Sequence, residues 1–328
     1  MRALVCDGPP GPEAPLRWAE VPDPSAGPGE VVLDVRATSV NRADLLQRAG
    51  RYPPPPGASP LLGLEAAGTI RELGPGVTGW RVGDPAMALL AGGGYAERAV
   101  APAALLLPVP AAVGLPAAGA VMEVWTTAHL NLVTLGRLAP GERVLVHGGS
   151  GGVGTAAVQL ARARGAEVWT TAGGPARAAR CLALGAHRAL DHRGEDFAAA
   201  LRAAGGADLI LDCLGGGALA RNLEALAPDG RLVVIGLQQG AKAELPLGAL
   251  LARRLTIVGS TLRALPAARK AAAVAGVRAE VWAGLDAGDL RVVVDRVVPL
   301  PRAAEAHAAL AAGEVFGKVV LEVPAGAG

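Results

Sequence analysis

Cysteine is scarce in this sequence, and its scarcity excludes two kinds of small protein scaffold. The 328 residues include three cysteines, Cys6, Cys181 and Cys213, which lie far apart and form no C-x-x-C pair. Isolated cysteines exclude a disulfide framework and a structural zinc site of four thiolates. We expect each of them to be a small buried apolar residue.

Strong charge of one sign and long apolar runs are also missing. The formal net charge is +2 and no dense run of Lys and Arg occurs, so nothing favours a nucleic-acid surface. No apolar stretch approaches the length of a bilayer span, and the first residues lack the apolar core of a secretory signal. We therefore expect a cytoplasmic protein that binds neither nucleic acid nor membrane.

Aromatic residues make up 3% of the chain, and only two of them are tyrosines. Each tyrosine hydroxyl is therefore considered individually as a candidate functional group. Hydrophobic residues as a whole reach 51%, and 328 residues are enough for two domains with cores of their own.

One stretch organises the rest of the chain, from Gly141 to Arg164, with the sequence GERVLVHGGSGGVGTAAVQLARAR. Residues 144–146 form an apolar β-branched run typical of a buried strand, and good helix formers follow residue 154. Between them, Gly149, Gly151 and Gly154 give the spacing G-x-G-x-x-G. A strand, a glycine turn and a helix in this order predict a site for the pyrophosphate of a dinucleotide.

The next predicted strand indicates which dinucleotide binds. An NAD site has Asp or Glu at the end of this strand, where it binds a ribose hydroxyl. Here the strand Glu167–Thr171 is followed by AGGPAR, which has no carboxylate and ends at Arg177. We therefore predict NADP(H), with Arg177 near the 2′-phosphate. A solvated arginine on a helix surface is the alternative interpretation of Arg177.

The residues before the glycine turn show a different sequence pattern. Short strands separated by Gly and Pro turns, such as Glu30–Thr38 and Trp80–Ala88, predict a compact β-rich domain. Within it, residues 41–48 could form a short helix, and four prolines at 53–56 force an extended path directly after Tyr52. A stiff loop of this kind can aim a side chain.

Strands and helices alternate from about residue 122, which predicts a doubly wound parallel sheet with helices on both faces. Helices are expected at Val121–Leu135, Ala178–Leu184 and Asp196–Ala203. The tail from Arg263 should hold one long alanine-rich helix and end in the strand Lys318–Val323. Its strand character favours a return to the first domain.

Several motifs together resemble one family. The glycine stretch is similar to that of the zeta-crystallin-type quinone oxidoreductases, in the medium-chain dehydrogenase/reductase superfamily. NRADLLQRAGRYPPPPGAS and LGLEAAG resemble the subgroup containing the tumour-suppressor-inducible quinone reductase, and GGADLILDCLGG, DGRLVVIG and GKVVLEV extend the likeness over nearly the whole chain. The resemblance implies an α/β protein with a GroES-like catalytic domain (1–121, completed by 263–328) and a Rossmann NADP-binding domain (122–262). A homodimer or homotetramer joined through the Rossmann domain is implied as well.

The resemblance also implies site residues for NADPH in the cleft between the two domains. Those near the nicotinamide are Asn41, Tyr52 and Thr127. Those at the pyrophosphate are Ser150, Gly151, Gly152 and Val153. Gly173 and Arg177 would meet the 2′-phosphate, and the rest of the cleft would be lined by Gly236, Ser260, Leu262 and Lys318.

The sequence departs from its relatives at the predicted phosphate pocket. Gly174 stands where many members have Ser, and Arg177 where they often have Lys, so a hydroxyl is lost and a charge is kept. His192 stands where a Tyr commonly packs near the adenosine. An imidazole beside a phosphate would make cofactor affinity depend on pH; a solvent-facing loop histidine is the alternative.

No metal is expected. Leu64 occupies the motif position of the zinc-binding histidine, and Ser39 or Val40 the region of the first cysteine ligand. Without a Lewis acid the substrate must accept hydride readily, as a quinone or another conjugated carbonyl does. Tyr52 and Asn41 are the candidates for orienting that carbonyl, and Tyr52 could supply a proton. Alternatively, Tyr52 only closes the pocket and Asn41 only caps a helix.

NADPH-dependent reduction of quinones is the function that these observations predict. An enoyl or enal reductase with the same cofactor and fold is one alternative. A nucleotide-dependent RNA-binding protein is another, although the chain has no basic aromatic patch.

Overall fold

The computed structural model describes residues 1–324. The strands of this part of the chain, in order, are β1 (Arg2–Cys6), β2 (Leu16–Glu20), β3 (Glu30–Ser39), β4 (Glu65–Leu73), β5 (Pro85–Leu89), β6 (Arg98–Pro102), β7 (Leu106–Pro108), β8 (Arg143–Val146), β9 (Glu167–Ala172), β10 (Arg188–Asp191), β11 (Ala207–Asp212), β12 (Leu226–Val234), β13 (Thr256–Gly259), β14 (Val294–Pro299) and β15 (Lys318–Glu322).

The α-helices are, in chain order, α1 (Arg42–Arg48), α2 (Gly114–Ala118), α3 (Met122–His129), α4 (Gly152–Ala163), α5 (Pro175–Ala183), α6 (Phe197–Ala203), α7 (Leu219–Ala225), α8 (Leu247–Ala252), α9 (Ala267–Glu280), α10 (Trp282–Ala287) and α11 (Ala303–Ala311). A π-helix over Leu130–Leu135 continues α3. None of the helices described is long and apolar enough to cross a membrane.

The chain forms two compact units. Among the described residues, the first contains 1–126 together with 263–324. Its main sheet has the order β14-β15-β3-β4-β5-β7, and β6 also pairs with β3. β15 runs antiparallel to β3, so the C-terminal segment supplies strands to the unit that the N-terminus begins. The core of this unit is aliphatic and lies around residues such as Leu33, Ile70 and Leu321.

Residues 127–262 form the second unit, which is a six-stranded parallel sheet with the order β10-β9-β8-β11-β12-β13. The first strand in the chain, β8, lies in the middle of this sheet. β9 and β10 follow on one side of it, and β11, β12 and β13 then follow on the other side. Residues 144–146 of β8 are fully buried because strands pair with β8 on both sides and helices cover the sheet. This confirms the predicted doubly wound sheet.

Three predicted elements differ in the structure. The single helix expected over Val121–Leu135 changes to a π-helix at Leu130, where the Gly136 N–H donates to the Asn131 carbonyl. A Cβ atom at residue 136 would lie 2.6 Å from that oxygen, so the wide turn requires glycine. The strand expected over Trp80–Ala88 begins only at Pro85, after a turn, and the long alanine-rich tail helix is divided at Val281 into α9 and α10.

Candidate active site

The glycine turn lies at the point where the sheet of the second unit reverses its strand order. β8 has β9 on one side and β11 on the other, so the turn after β8 opens onto the crevice beyond the carboxyl ends of these strands. α4 then begins at Gly152. Open parallel sheets bind their ligands at this position, where the first N–H groups of the helix have no partners within the helix.

Two of the three motif glycines are required by close packing. A Cβ atom on Gly149 would lie 2.0 Å from Thr170 Oγ1, and one on Gly154 would lie 2.1 Å from the Gly148 carbonyl oxygen. A Cβ atom on Gly151 would make only an ordinary contact of 3.4 Å with that oxygen. The first and third glycines therefore hold the turn against the sheet, whereas Gly151 leaves open space for a ligand.

A series of buried side-chain hydrogen bonds holds the glycine turn in place. His147 Nε2 lies 2.8 Å from Asn222 Oδ1, which can only accept, and His147 Nδ1 lies 3.1 Å from Thr171 Oγ1. Nε2 therefore carries the proton and Nδ1 accepts from the threonine hydroxyl. Thr171 Oγ1 in turn accepts from the Gly148 N–H at 3.2 Å. Burial lowers the pKa of His147, which keeps the ring neutral.

The loop after β10 approaches the end of β9. Asp191 Oδ1 accepts from the N–H groups of Gly174, at 2.8 Å, and Arg193, at 3.1 Å. A Cβ atom on Gly173 would lie 3.2 Å from His192 Nε2 and 3.7 Å from an Arg193 guanidinium nitrogen. His192 and Arg193 therefore both border the predicted 2′-phosphate position.

The structure changes one premise of the prediction for this corner. No Asp or Glu follows β9 directly, but β10 brings the Asp191 carboxylate to Gly174 from the neighbouring strand. Asp191 Oδ1 is already engaged by two backbone N–H groups, which lower the pKa of this carboxyl. The same loop contributes Arg193, a cation that the sequence analysis did not name. Arg177 lies in the first turns of α5, next to the Gly173–Gly174 pair in sequence.

Two of the other residues predicted in this unit follow the ends of strands. Gly236 comes two residues after β12, and Ser260 comes directly after β13 and donates its N–H to the Val234 carbonyl. Both therefore lie at the same sheet edge as the glycine turn. Leu262 is buried, and the Thr127 carbonyl accepts from Asn131 Nδ2 at 2.7 Å.

In the first unit, a buried ion pair joins the beginning and the end of the chain. Lys318 Nζ lies 3.1 Å from Glu65 Oε1, and both side chains are almost completely inaccessible. The ammonium group also donates to the Val40 carbonyl at 2.9 Å and to Asn41 Oδ1 at 2.5 Å. Glu65 Oε1 accepts further from the Ser39 hydroxyl at 2.5 Å. All three donors of the ammonium are thus satisfied, which a buried charge requires.

Asn41 belongs to this network. Its Oδ1 faces Lys318, and its Nδ2 donates to Glu65 Oε1 at 3.0 Å. Asn41 is also the N-cap residue of α1, and the Asp44 carboxylate accepts from the Asn41 backbone N–H at 2.8 Å. The structure therefore fixes the orientation of the Asn41 amide through residues that lie far away in the sequence, a role for Lys318 that no local pattern indicates.

Tyr52 is held by an arginine that the sequence analysis missed. The Arg263 guanidinium lies over the Tyr52 ring, with Cζ 5.3 Å from the ring centroid. It donates to the Tyr52 carbonyl at 3.3 Å, to Ala91 O at 2.8 Å and to Gln47 Oε1 at 2.7 Å. Burial raises the pKa of Tyr52, so its hydroxyl stays protonated at neutral pH. Arg263 thereby fixes the loop that carries the tyrosine.

Comparison with known proteins agrees with both units. Residues 27–111 match the alcohol dehydrogenase GroES-like domain, and residues 152–275 match the zinc-binding dehydrogenase family. A solved NAD-dependent alcohol dehydrogenase is 32% identical and superimposes with a TM-score of 0.87 over 98% of this chain and 100% of its own. The chain belongs to the medium-chain dehydrogenase/reductase family. The predicted fold class, a GroES-like domain plus a Rossmann sheet, is therefore confirmed.

Other members of this family show how widely its functions vary. The quinone oxidoreductase of Escherichia coli, solved with NADPH, is 27% identical over 98% of this chain and 99% of its own, with a TM-score of 0.86. JamJ enoyl reductase is 26% identical with the same coverage and a TM-score of 0.87. The phthioceranic/hydroxyphthioceranic acid synthase of Mycobacterium tuberculosis is 35% identical over 91% of this chain. The chain spans 14% of the length of that relative.

Zinc does not fit the residues of this family member. Within residues 1–324, no group of three His, Cys, Asp or Glu side chains is placed to hold a metal ion. Glu65, the acid beside Leu64, already binds an ammonium group, an amide and a hydroxyl. The expectation of a metal-free protein stays a prediction that elemental analysis can test.

Proposed function

We propose that this medium-chain oxidoreductase reduces quinones or similar conjugated carbonyls with NADPH, by hydride transfer without a metal. One observation supports the cofactor above all others. The glycine turn lies at the reversal point of the parallel sheet, with Gly151 left open and with His192 and Arg193 at the adjacent corner. These features suit a pyrophosphate and a 2′-phosphate respectively.

The chain's own residues would bind this cofactor at both ends. Backbone N–H groups of Ser150, Gly152 and Val153 would meet the pyrophosphate, because the Gly151 N–H already donates to the Gly148 carbonyl. Arg193 with Arg177 would neutralise the 2′-phosphate. Gly236 and Ser260 lie along the same sheet edge, where backbone can approach a ligand closely. When bound, NADPH supplies the hydride, and the protein's part is to orient the two reactants and exclude water.

Tyr52 is the group proposed to bind the acceptor carbonyl. Its hydroxyl is protonated at neutral pH, and Arg263 keeps its loop in place. Asn41 is proposed to act indirectly, because its amide is already bound within the Lys318 network. A hydrogen bond to the carbonyl oxygen stabilises the charge that develops as hydride arrives.

A conjugated carbonyl is favoured over an alcohol as substrate, because no His, Cys, Asp or Glu side chains among residues 1–324 are grouped to hold a metal that could stabilise an alkoxide. Within this proposal the chain lies in the zeta-crystallin-type group of quinone reductases. An enoyl or enal reductase is the second candidate, favoured by the similarity to JamJ enoyl reductase. Both candidates need the same cofactor and the same kind of acceptor.

Steady-state kinetics with two acceptors separates the candidates. With saturating NADPH, kcat/KM for a naphthoquinone should exceed kcat/KM for a 2-alkenal if the chain is a quinone reductase. The reverse order would make the chain an enal reductase. If the protein oxidised NADPH with neither the naphthoquinone nor the 2-alkenal, both candidates would be contradicted.

A further inference from the structure

Thr171, near the end of β9, engages the first two backbone N–H groups of the glycine turn. The Gly148 N–H donates to the Thr171 hydroxyl oxygen at 3.2 Å, and the Gly149 N–H donates to the Thr171 carbonyl at 2.9 Å. The Gly151 N–H in turn donates to the Gly148 carbonyl at 2.9 Å. The position of the N–H groups that are left for a pyrophosphate therefore depends on Thr171.

The hydrogen bonds of the Thr171 hydroxyl have a direction that Asn222 sets. Asn222 Oδ1 can only accept, so it takes the proton of His147 Nε2 at 2.8 Å, and His147 Nδ1 is left as an acceptor. The Thr171 hydroxyl donates its one hydrogen to Nδ1 at 3.1 Å. Its oxygen is thereby turned towards the Gly148 N–H as an acceptor.

Two helices hold the imidazole in this orientation. The His147 ring packs edge to face against Phe197 at the start of α6, with ring centroids 4.7 Å apart, and Asn222 lies in α7. The side chains of His147, Thr171 and Asn222 are at most 3% exposed. Within residues 1–324, Asn222 Nδ2 has no hydrogen-bond partner. A buried amide with unused donors lowers stability, so stability alone does not account for an asparagine at this position.

Resting on the proposed function, we propose that His147 and Thr171 are positioning residues for NADPH, which hold the pyrophosphate-binding N–H groups of the turn in place before the cofactor arrives. Both act through the Gly148 N–H and not by touching the cofactor. A site that is already ordered binds more tightly, because no free energy is spent on ordering it. The histidine directly before the glycines therefore contributes to cofactor affinity from within the core.

The Thr171 hydroxyl can be removed with little change of shape. Thr171→Val keeps a β-branched side chain, so β9 should form as before. The Kd for NADPH, measured by calorimetry, should rise about tenfold, because the Gly148 N–H loses its acceptor and the turn loses its order. Thr171→Ser keeps the hydroxyl and should bind NADPH as the wild-type protein does. An unchanged Kd in Thr171→Val would overturn the proposal.

Thr38→Val is the matched control for the loss of a buried hydroxyl. Thr38 is fully buried in β3 of the first unit, and its hydroxyl donates to the Glu65 carbonyl at 2.6 Å. This variant should lower Tm without changing the Kd for NADPH. An equal loss of NADPH affinity in Thr38→Val and Thr171→Val would show a general effect of destabilisation, which contradicts a positioning role.

His147→Phe tests the next member of the series. The variant keeps a ring to pack against Phe197 and removes both hydrogen bonds of the imidazole. It should also raise the Kd for NADPH, and combining it with Thr171→Val should add little, because both residues act through one hydrogen bond. Effects that multiply in the double variant would contradict this coupling. If His147→Phe does not fold, the two Thr171 variants decide the question.

Hydrogen exchange observes the turn without any ligand. The Gly148 amide should exchange slowly in the cofactor-free wild-type protein and in Thr171→Ser, and faster in Thr171→Val, where its acceptor is missing. Equally slow exchange in Thr171→Val would show that the turn is ordered without the hydroxyl, and would overturn the proposal.

Failure of this proposal can be distinguished from failure of the proposed function. Calorimetry with NADPH requires no acceptor, and kcat for Thr171→Val at saturating NADPH should equal the wild-type value. A wild-type protein that does not bind NADPH would overturn both proposals. A wild-type protein that binds NADPH but reduces no acceptor would overturn the proposed reaction alone, whereas equal Kd values for Thr171→Val and wild type would overturn the positioning role alone.

Discussion

At the scale of single residues, Arg193 offers the sharpest test of cofactor choice. It borders Gly173 and Gly174, where the 2′-phosphate is proposed to lie. Arg193→Ala should raise KM for NADPH about tenfold or more, since a hydrogen bond to a charged group contributes roughly 1.5 to 3 kcal/mol. KM for NADH should stay the same.

Arg202→Ala is a suitable control for this measurement, because Arg202 pairs with Glu224 on the surface of the same unit. Equal losses with NADPH and NADH in Arg193→Ala would show that Arg193 serves only to hold its loop. A clear preference of the wild-type protein for NADH would contradict the predicted cofactor.

A second prediction at this scale concerns the buried pair of Lys318 and Glu65. Lys318→Met leaves a buried carboxylate without its cation and should reduce the free energy of unfolding by about 3 to 5 kcal/mol. Adding Glu65→Gln removes the unpaired charge, so the double variant should recover part of this loss. Denaturant unfolding of both variants measures the effect, and a double variant less stable than Lys318→Met would refute it.

Local sequence predicted some of these residues and could not predict others. Tyr52 was found because tyrosine is rare and a proline run follows it. Its partner Arg263 lies 211 residues away, and Lys318 lies 277 residues from Asn41. The second pair arises because β15 returns to β3, and only the folded topology brings the members of either pair together.

At the scale of secondary-structure elements, the glycine turn between β8 and α4 contains one glycine needed for stability and another proposed to be needed for cofactor binding. Gly149→Ala places a Cβ atom 2.0 Å from Thr170 Oγ1 and should cost roughly 1 to 3 kcal/mol of stability. Gly151→Ala makes only an ordinary contact, so Tm should stay near the wild-type value while the Kd for NADPH rises. Calorimetry and binding measurements check the pair.

The opposite pattern would be decisive. If Gly151→Ala bound NADPH as tightly as the wild-type protein, the second glycine would not mark the pyrophosphate site. A Gly149→Ala variant with wild-type Tm would show that the turn can relax away from Thr170.

The sequence predicted elements best where one physical signal dominates. The buried strands of the parallel sheet and the glycine turn belong to this class, since apolar runs and glycine spacing are local. The π-helix after α3 was missed because it depends on the packing of Gly136 against Asn131. The division at Val281 was missed because alanine-rich residues favour helix on both sides of it.

At the scale of the whole molecule, one edge of the parallel sheet is proposed to join two copies of the chain. β13 is an edge strand, and α8 just before it exposes Leu247 and Leu251, at 65% and 81%. Leu237 is also exposed, at 56%. Unpaired strand edges and exposed leucines on the surface of one unit favour association. This supports the homodimer or homotetramer that the family resemblance implies.

Leu251→Asp should shift the protein towards monomer by placing a charge in this apolar surface. Val82→Asp is the matched control, because Val82 is also 65% exposed but lies in the other unit. Light scattering coupled to size exclusion gives the mass of each variant. An oligomer unchanged by Leu251→Asp and dissociated by Val82→Asp would place the interface elsewhere.

The most direct test of the central claim is the rate of NADPH oxidation with a naphthoquinone, measured on one preparation before and after chelation, with its zinc content determined. We predict rapid oxidation, an unchanged rate after chelation and no stoichiometric zinc. Stoichiometric zinc whose removal abolishes the rate, or a protein that oxidises alcohols and leaves the quinone untouched, would contradict the account.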